Sequence, residues 1–184
     1  MGHRYWTPSD CVGVSQCPCY HCMVLAGFAV NYLGSGSGEQ AKRAWCRENA
    51  GQRPWNGEIL RQTATGEHTM KVRNAPGNDT VVKLKNSSNT TVLSLFVRSG
   101  ETAVVENVPE GSFKVMFASG GGYSRACGYF LDDLSVSKNP KTVDFRTTQR
   151  GNYISTAIYE LTLSRVVDGN LTPQKTSLAE FVDE

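Results

Sequence analysis

The sequence predicts a mainly β protein, in which an antiparallel β-sandwich of about eight strands follows a small, Cys-rich and partly helical module. The first observation is a change of composition near residue 65: five of the six cysteines and all three tryptophans lie before it. The second is a series of short alternating segments after it, separated by Gly, Pro, Asn and Asp at intervals of about 8 to 15 residues. The third is that no segment between them shows helical periodicity over about 10 to 15 residues, the length of helix that a crossover between parallel strands needs.

A chain of 184 residues fits one ordinary domain or two small ones. We predict a Cys-rich module over residues 1–50. Because so small a domain has a small hydrophobic core, we expect a bound metal ion to stabilise it. A Pro- and Gly-containing linker is expected over 51–66. The β-sandwich, with one short C-terminal helix, is expected over 67–184.

Within the first module, residues 22–33 are consistent with a buried helix, and residues 39–49 contain strong helix formers. Between them, Gly34-Ser35-Gly36-Ser37-Gly38 predicts a break, since three glycines in five positions cost much conformational freedom in a helix interior. At the other end of the chain, Ser177-Leu178-Ala179-Glu180 has the capping-box pattern of a short terminal helix.

The predicted strands show which side chains share a face. In the segment TVVKLKN, Val82 and Leu84 lie on one side and Lys83 and Lys85 on the other. The same alternation groups Leu93 with Leu95 and Val97, Phe113 with Val115 and Phe117, and Ala157 with Tyr159, Leu161 and Leu163. The eight segments are TMKVRN, TVVKLKN, TVLSLFVRSGE, TAVVENV, SFKVMFAS, YSRACGYFL, TVDFRTT and YISTAIYELTLSRVV, with a bend expected at Gly120-Gly121-Gly122.

Several of these segments together, DTVVKL, VLSLFVRSGETAVVENVPEGSFKVMFASG and YELTLSRVVDGNL, cover much of residues 69–181. The pattern resembles an uncharacterised family of small bacterial β-domains, marked by Val-Pro-x-Gly before an aromatic strand and by a closing Asp-Gly-Asn-Leu. The resemblance implies a sandwich similar to transthyretin-like and carboxypeptidase regulatory-like accessory domains. It also implies a binding or scaffolding role, and it assigns no catalytic residues.

The N-terminal cysteines raise the main chemical question. Cys19-Tyr20-His21-Cys22 is a CxxC pair, which allows two thiolates to converge on one tetrahedral zinc ion. Since no second CxxC exists, the other ligands must come from separate cysteines. The predicted ligand set is Cys11, Cys19, Cys22 and Cys46, with Cys17 as a substitute for Cys11 and with His3 and His21 as spare imidazoles.

Other interpretations of these thiols stay open. Cys19 and Cys22 could be a redox pair, because Cys19 precedes a possible helix N-terminus that would lower its pKa. Four thiolates could hold an iron–sulfur cluster. The cysteines could also be reduced and packed as small apolar side chains, which is the expectation for the isolated Cys127.

Charge and apolar patterning limit the partners and the compartment. The net charge of +2 is evenly spread, which argues against nucleic acid. The longest apolar run, residues 23–33, has eleven residues against the roughly 20 that span a bilayer, so we expect no membrane partner. With no recognisable secretory signal, the sequence favours a cytoplasmic protein with reduced thiols, or a particle component assembled in a cytoplasm.

We find no catalytic constellation in the sequence: the pattern G-x-S-x-G and the pattern H-E-x-x-H are both absent. The first hypothesis is therefore a non-catalytic binding or adaptor protein with a structural zinc module, which contacts a protein partner or itself. The alternative is a structural or assembly subunit of a phage particle or bacterial appendage. A further alternative is a thiol oxidoreductase that uses Cys19 and Cys22.

Overall fold

The computed structural model describes residues 35–163 and 173–182. The chain divides into two compact units, Met1–Arg43 and Ala44–Glu184, and the description below concerns the second unit together with the helix that leads into it. The helix expected over residues 22–33 lies outside the described residues.

Twelve strands and two helices make up the described part of the chain. The first helix is α1 (Ser35–Glu48), and the last is α2 (Leu178–Phe181). The strands are β1 (Ile59–Gln62), β2 (His68–Arg73), β3 (Asp79–Lys85), β4 (Thr91–Val97), β5 (Thr102–Val108), β6 (Gly111–Ser124), β7 (Tyr129–Lys138), β8 (Val143–Phe145), β9 (Thr148–Arg150), β10 (Tyr153–Ser155), β11 (Ile158–Thr162) and β12 (Gln174–Lys175).

The strands form two main sheets, which confirms the predicted antiparallel β-sandwich. The larger sheet has the order β1-β4-β3-β6-β7-β12, with β8 also paired to β6, and all its neighbours are antiparallel. The smaller sheet has the order β11-β2-β5, and its β11–β2 pair is parallel. Strands β9 and β10 form a separate hairpin.

The core lies between these two sheets, and the predicted faces supply it. Val82 and Leu84 point into it, as do the groups predicted on β4, β6 and β11. The fully or nearly fully buried members are Met70, Val72, Val82, Leu84, Val92, Leu93, Leu95, Val97, Ala103, Val105, Val108, Phe113, Val115, Val143, Phe145 and Leu161. Removing this apolar surface from water stabilises the fold at roughly 25 cal/mol per Å².

The larger sheet is also covered on its other face. Strands β3 and β4 are buried along almost their whole length, so their side chains are enclosed on both sides. The second cluster contains Val81, Phe96, Met116, Ala118, Phe130, Val136 and Phe181. Phe181 belongs to α2, so the C-terminal segment covers part of this face.

Two lysines of β3 hold the C-terminal segment in place. The Nζ of Lys83 donates to the carbonyl of Phe181 at 3.0 Å, and the Nζ of Lys85 donates to the carbonyl of Glu180 at 2.8 Å. Both side chains are buried, and the Lys83 ammonium also lies 4.4 Å from the centroid of the Phe181 ring. The two cations meet the carbonyl end of α2, where positive charge is favourable.

The predicted short terminal helix and its Ser177 cap are confirmed, but the reciprocal bond of a capping box, from Glu180 back to Ser177, is replaced by other contacts. The hydroxyl of Ser177 accepts a hydrogen bond from the backbone N–H of Glu180 at 3.2 Å. The carboxylate of Glu180 instead accepts from Lys138 at 2.9 Å. Because two strands supply lysines to this short helix, its position depends on the sheet more than on its own four residues.

The predicted linker over 51–66 differs from the structure, since it contains strand β1. Ile59 pairs with Leu95 of β4, and the N–H of Gly57 donates to the carbonyl of Phe96 at 2.9 Å. Strand β1 has only four residues, which are too few to show a clear alternation of apolar and polar side chains in the sequence. Helix α1 also differs, because it begins at Ser35 inside the predicted glycine break.

Two further strand predictions need correction. The expected bend at Gly120-Gly121-Gly122 lies inside β6, which continues to Ser124. A Cβ atom on Gly120 would lie 2.5 Å from the carbonyl oxygen of Asp132, so glycine is needed there for close approach of β7 rather than for a turn. The last predicted segment is divided into β10 and β11.

Candidate functional site

The described residues place one predicted metal ligand in a different role. Cys46 and Cys127 form a disulfide with an S–S distance of 2.00 Å and a Cα–Cα distance of 5.8 Å. The prediction that Cys46 binds zinc is therefore wrong, because a sulfur in a disulfide is not available as a thiolate. The expectation that Cys127 is a reduced core residue is wrong as well. The other predicted ligands, Cys11, Cys17, Cys19 and Cys22, lie outside the described residues.

Polar contacts surround the disulfide and fix the end of α1 against the turn between β6 and β7. The hydroxyl of the buried Ser124 donates to the carbonyl of Cys46 at 2.9 Å. The Sγ atom of Cys46 lies 3.3 Å from the hydroxyl of Tyr129. Arg47 forms an exposed ion pair with Asp132 at 2.8 Å. These hydrogen bonds and the ion pair thus hold the end of α1 next to the same turn that the disulfide joins to it.

A second ion pair attaches the segment that follows α1. Arg125 donates from two nitrogens to the two carboxylate oxygens of Glu58, at 2.6 and 2.8 Å. Its Nε atom also donates to the carbonyl of Gln52 at 2.8 Å. Glu58 is buried and accepts a further hydrogen bond from the N–H of Trp55 at 3.1 Å. No local pattern in the sequence indicates a partner for Glu58, since Arg125 lies 67 positions away.

The charges of this pair shift several pKa values. The hydrogen bonds from Arg125 lower the pKa of Glu58, although burial opposes them, and the pKa of Arg125 is raised mainly by the same bonds. Nearby, burial raises the pKa of Tyr123 to about 12. Each shift follows from a structural contact. The pair therefore serves as a fixed ionic link between two segments of the fold.

Other chemistry-bearing side chains are likewise engaged in the fold. His68 is buried, and its Nδ1 accepts from the N–H of Ala157 at 2.9 Å. Asp132 and Asp133 lie within strand β7, and Asp132 pairs with Arg47. Within residues 35–163 and 173–182, no three His, Cys, Asp or Glu side chains are grouped so that they could hold a metal ion.

One side of the sandwich consists of β8, the β9–β10 hairpin and β11. We call it the open side, because its hairpin is exposed. Every residue of β9 and β10 is exposed. Tyr153 is 81% exposed and Ile154 is 66% exposed, and Ile158 at the start of β11 is 76% exposed. Three large apolar side chains within six positions are thus exposed, which makes this segment a candidate interaction site.

The geometry of the hairpin is well defined. Gly151 has a φ of 63° at the first position of the two-residue turn, as a type II′ turn requires. The register pairs Tyr153 with Arg150 and Ile154 with Gln149. Directly paired residues share a face, so one face presents Arg150 beside Tyr153 and the other presents Ile154.

The two ends of the hairpin connect the two sheets. Strand β8 pairs with β6 of the larger sheet, and β11 pairs with β2 of the smaller one. The rings of Phe145 and Tyr159, which flank the hairpin, lie with centroids 6.1 Å apart. The open side is therefore anchored to the core at both of its ends while its middle projects into solvent.

The open side was not identified from the sequence. The residues YISTAIYELTLSRVV alternate like one long strand, and alternation alone does not show that Tyr153 and Ile154 lie beyond the sheets. A signal was nevertheless present: Arg150-Gly151-Asn152-Tyr153 contains a Gly-Asn pair between short β-prone runs, which is typical of a hairpin.

No protein-family model matches this chain, and neither a curated protein nor a solved structure shows significant similarity to it. The resemblance to small bacterial β-domains thus stays a prediction. Among the described residues, no helix has the length and apolarity needed to cross a bilayer.

The disulfide should contribute strongly to stability. Its ends are 81 positions apart, so the loop-entropy model gives a loss of up to about 4.5 kcal/mol in the free energy of unfolding for Cys46→Ala/Cys127→Ala. Urea denaturation of the oxidised wild type and the variant measures it. A reductant should lower the free energy of unfolding of the wild type towards that of the variant. It should change the free energy of unfolding of the variant little. Finding both residues alkylated in unreduced wild-type protein would contradict the pairing.

Glu58 should make stability depend on acidity. Its pKa is lower in the folded state than the ordinary value of 4.5, so its contribution is present above that pH and is lost as the pH falls through the lowered value. Glu58→Gln should lower the free energy of unfolding at pH 7 by about 2 kcal/mol and flatten its pH dependence below about 4.5. The exposed Glu110→Gln is the matched control, and equal curves for the two variants would refute the role of the ion pair.

Proposed function

We propose that this chain is a non-catalytic binding or adaptor protein whose sandwich presents the open side to a protein partner. The observation that carries the proposal is the hairpin itself, which exposes Tyr153 on one face and Ile154 on the other, with Ile158 exposed at the start of β11. Three large apolar side chains exposed within six positions exceed the single, scattered ones that are usual at a protein surface.

The composition of the hairpin supports a protein as the partner. Tyr and Arg are the residue types that most often carry binding energy at protein interfaces, and Arg150 stands beside Tyr153 on one face. A two-stranded hairpin is only marginally stable by itself. Contact with a partner would therefore stabilise the hairpin and bury its apolar side chains in the same step.

Site-specific photocrosslinking tests this proposal. A photoreactive phenylalanine replaces Tyr153 in the full chain, expressed in the cells that encode it, and Glu110 is replaced in the same way as an exposed control. We expect a light-dependent adduct with another polypeptide from position 153, several-fold above position 110. No adduct at position 153, or equal yields at the two positions, would overturn the proposal.

A structural or assembly subunit is the second candidate. Strands β8 and β11 each have a strand partner on one side among the described residues, and such edges can pair with neighbouring copies. In the crosslinking experiment, an adduct with the mass of two copies of the chain would favour this function over an adaptor.

The disulfide supports a location different from a reducing cytoplasm. Disulfides persist mainly in oxidising surroundings, including the surfaces of cells and virions. Of the two predicted locations, a particle component that is exposed after assembly agrees better with the Cys46–Cys127 bond than a permanently cytoplasmic protein does.

Structural zinc and thiol oxidoreductase chemistry remain predictions for the N-terminal cysteines. Without Cys46, the candidate zinc ligands are Cys11, Cys17, Cys19 and Cys22. Metal analysis of the purified chain should then find about one zinc per chain, lowered in Cys19→Ser/Cys22→Ser. Zinc-free protein in which all four thiols are paired as disulfides would exclude the zinc module. A redox pair instead requires a thiol pKa clearly below about 8.5 at Cys19.

A further inference from the structure

Residues 46–62 form a strap that runs from the end of α1 through β1, and this strap buries little apolar surface. Its buried members are Cys46, Pro54 and Glu58. Trp55 and Ile59 are exposed, and Leu60 is only partly buried where it packs against the second cluster. The strap is therefore held to the sandwich more by specific bonds than by the hydrophobic effect.

The strap covers the backbone of β4. The N–H of Phe96 donates to the carbonyl of Glu58, and the N–H of Gly57 donates to the carbonyl of Phe96, both at 2.9 Å. Directly after the strap, the N–H of Thr63 donates to the carbonyl of Val92 at 2.9 Å. Strand β4 is buried along its whole length, and β1 is its neighbour at the end of the larger sheet. Without the strap, the apolar β4 would become an exposed edge strand.

Ion pairs also attach the strap to the two sheets. Among them are Arg47–Asp132, Arg53–Asp79 and Glu58–Arg125. In the first two pairs the arginine side chain is 58% exposed, and exposed ion pairs contribute little to stability. The pair of the buried Glu58 is the stronger one, but it holds the strap at a single position.

The disulfide is the covalent attachment of the strap. It fixes Cys46 to the turn after β6, while the other end of the strap continues towards β2 of the smaller sheet. With both ends fixed, the remaining contacts of the strap reform at high effective concentration whenever they break. Reduction would remove this advantage, because the strap would then have one fixed end.

The two sulfur atoms of the disulfide differ in access. Cys46 is fully buried, whereas Cys127 is only partly buried and follows two exposed residues of the turn. A thiolate would therefore attack Cys127 and displace Cys46. The hydroxyl of Tyr129 lies 3.3 Å from the Sγ of Cys46, and it must be the donor because a disulfide sulfur carries no hydrogen. This hydroxyl is placed to stabilise the departing thiolate of Cys46.

We propose that the Cys46–Cys127 bond is a reducible latch, whose opening lets residues 46–62 detach from β4 while the core between the two sheets stays folded. A dithiol reductant forms a mixed disulfide with Cys127, and Cys46 leaves as a thiolate that takes up a proton. The second thiol of the reductant then displaces Cys127. The reductant loses two electrons and becomes a disulfide, and the two cysteines gain these electrons and become thiols. This regulation of the β4 edge is independent of the partner of the open side.

Hydrogen exchange of the full chain, followed by NMR with and without a dithiol, tests the latch. The amides of Gly57, Thr63 and Phe96 report on the strap, and the amides of β3 and β6 that bond to each other report on the core. Because reduction also lowers the global stability, the informative quantity is the ratio of strap to core exchange rates. We expect this ratio to rise at least tenfold on reduction, since the strap then opens separately from the core.

The variant Cys46→Ser/Cys127→Ser separates the latch from the N-terminal cysteines. It mimics the open latch without a reductant, so the other cysteines keep their oxidation state. The ratio in this variant should match that of the reduced wild type, and added dithiol should not raise it further.

Tyr129→Phe tests the chemistry of the latch, because it removes only the hydroxyl. Reduction of the Cys46–Cys127 bond, measured by timed alkylation and mass spectrometry, should be several-fold slower than in the wild type. Tyr159→Phe, a change in the smaller sheet, is the matched control and should keep the wild-type rate of reduction.

The possible outcomes lead to different conclusions. Equal rises in the strap and core rates on reduction would show that the whole domain unfolds, and this would overturn the latch. A bond that a dithiol does not reduce in the folded chain would overturn it as well. A wild-type rate of reduction in Tyr129→Phe would refute the assigned direction of attack.

Discussion

Burial of the larger sheet on both faces is the constraint on which the rest of the fold depends. One face packs against the smaller sheet, and the other is covered by aromatic side chains and by α2. Lysines on the second face are then enclosed, and they need acceptors. The carbonyl oxygens of Glu180 and Phe181 supply them, so a polar requirement of β3 determines where the C-terminal segment lies.

The same sheet also determines where the disulfide can form. The end of β6 and the turn after it carry Ser124, Arg125 and Cys127, and each of these contacts the segment from Cys46 to Glu58. Three contacts of different kinds, a disulfide, an ion pair and a hydrogen bond, thus meet at one junction. Since these contacts respond to redox state, acidity and packing separately, the junction would weaken under reduction or acid without loss of the apolar core.

Local alternation predicted the faces of this protein well, because a buried face needs apolar residues at every second position. The groups on β3, β4, β6 and β11 were assigned correctly for that reason, as was the Ser177 cap. Contacts between distant positions could not be predicted in this way. The Cys46–Cys127 bond and the Glu58–Arg125 pair join residues 81 and 67 positions apart, and no periodic pattern records such distances.

The candidate site was missed for a related reason. An exposed strand and a buried strand can have the same alternation, so Tyr153, which alternates in step with Ala157 and Tyr159, looks like a core residue in the sequence. Only the topology shows that β9 and β10 pair with one another and with neither main sheet. Whether an exposed apolar residue lies at an edge or in a core is decided by which strands are already paired.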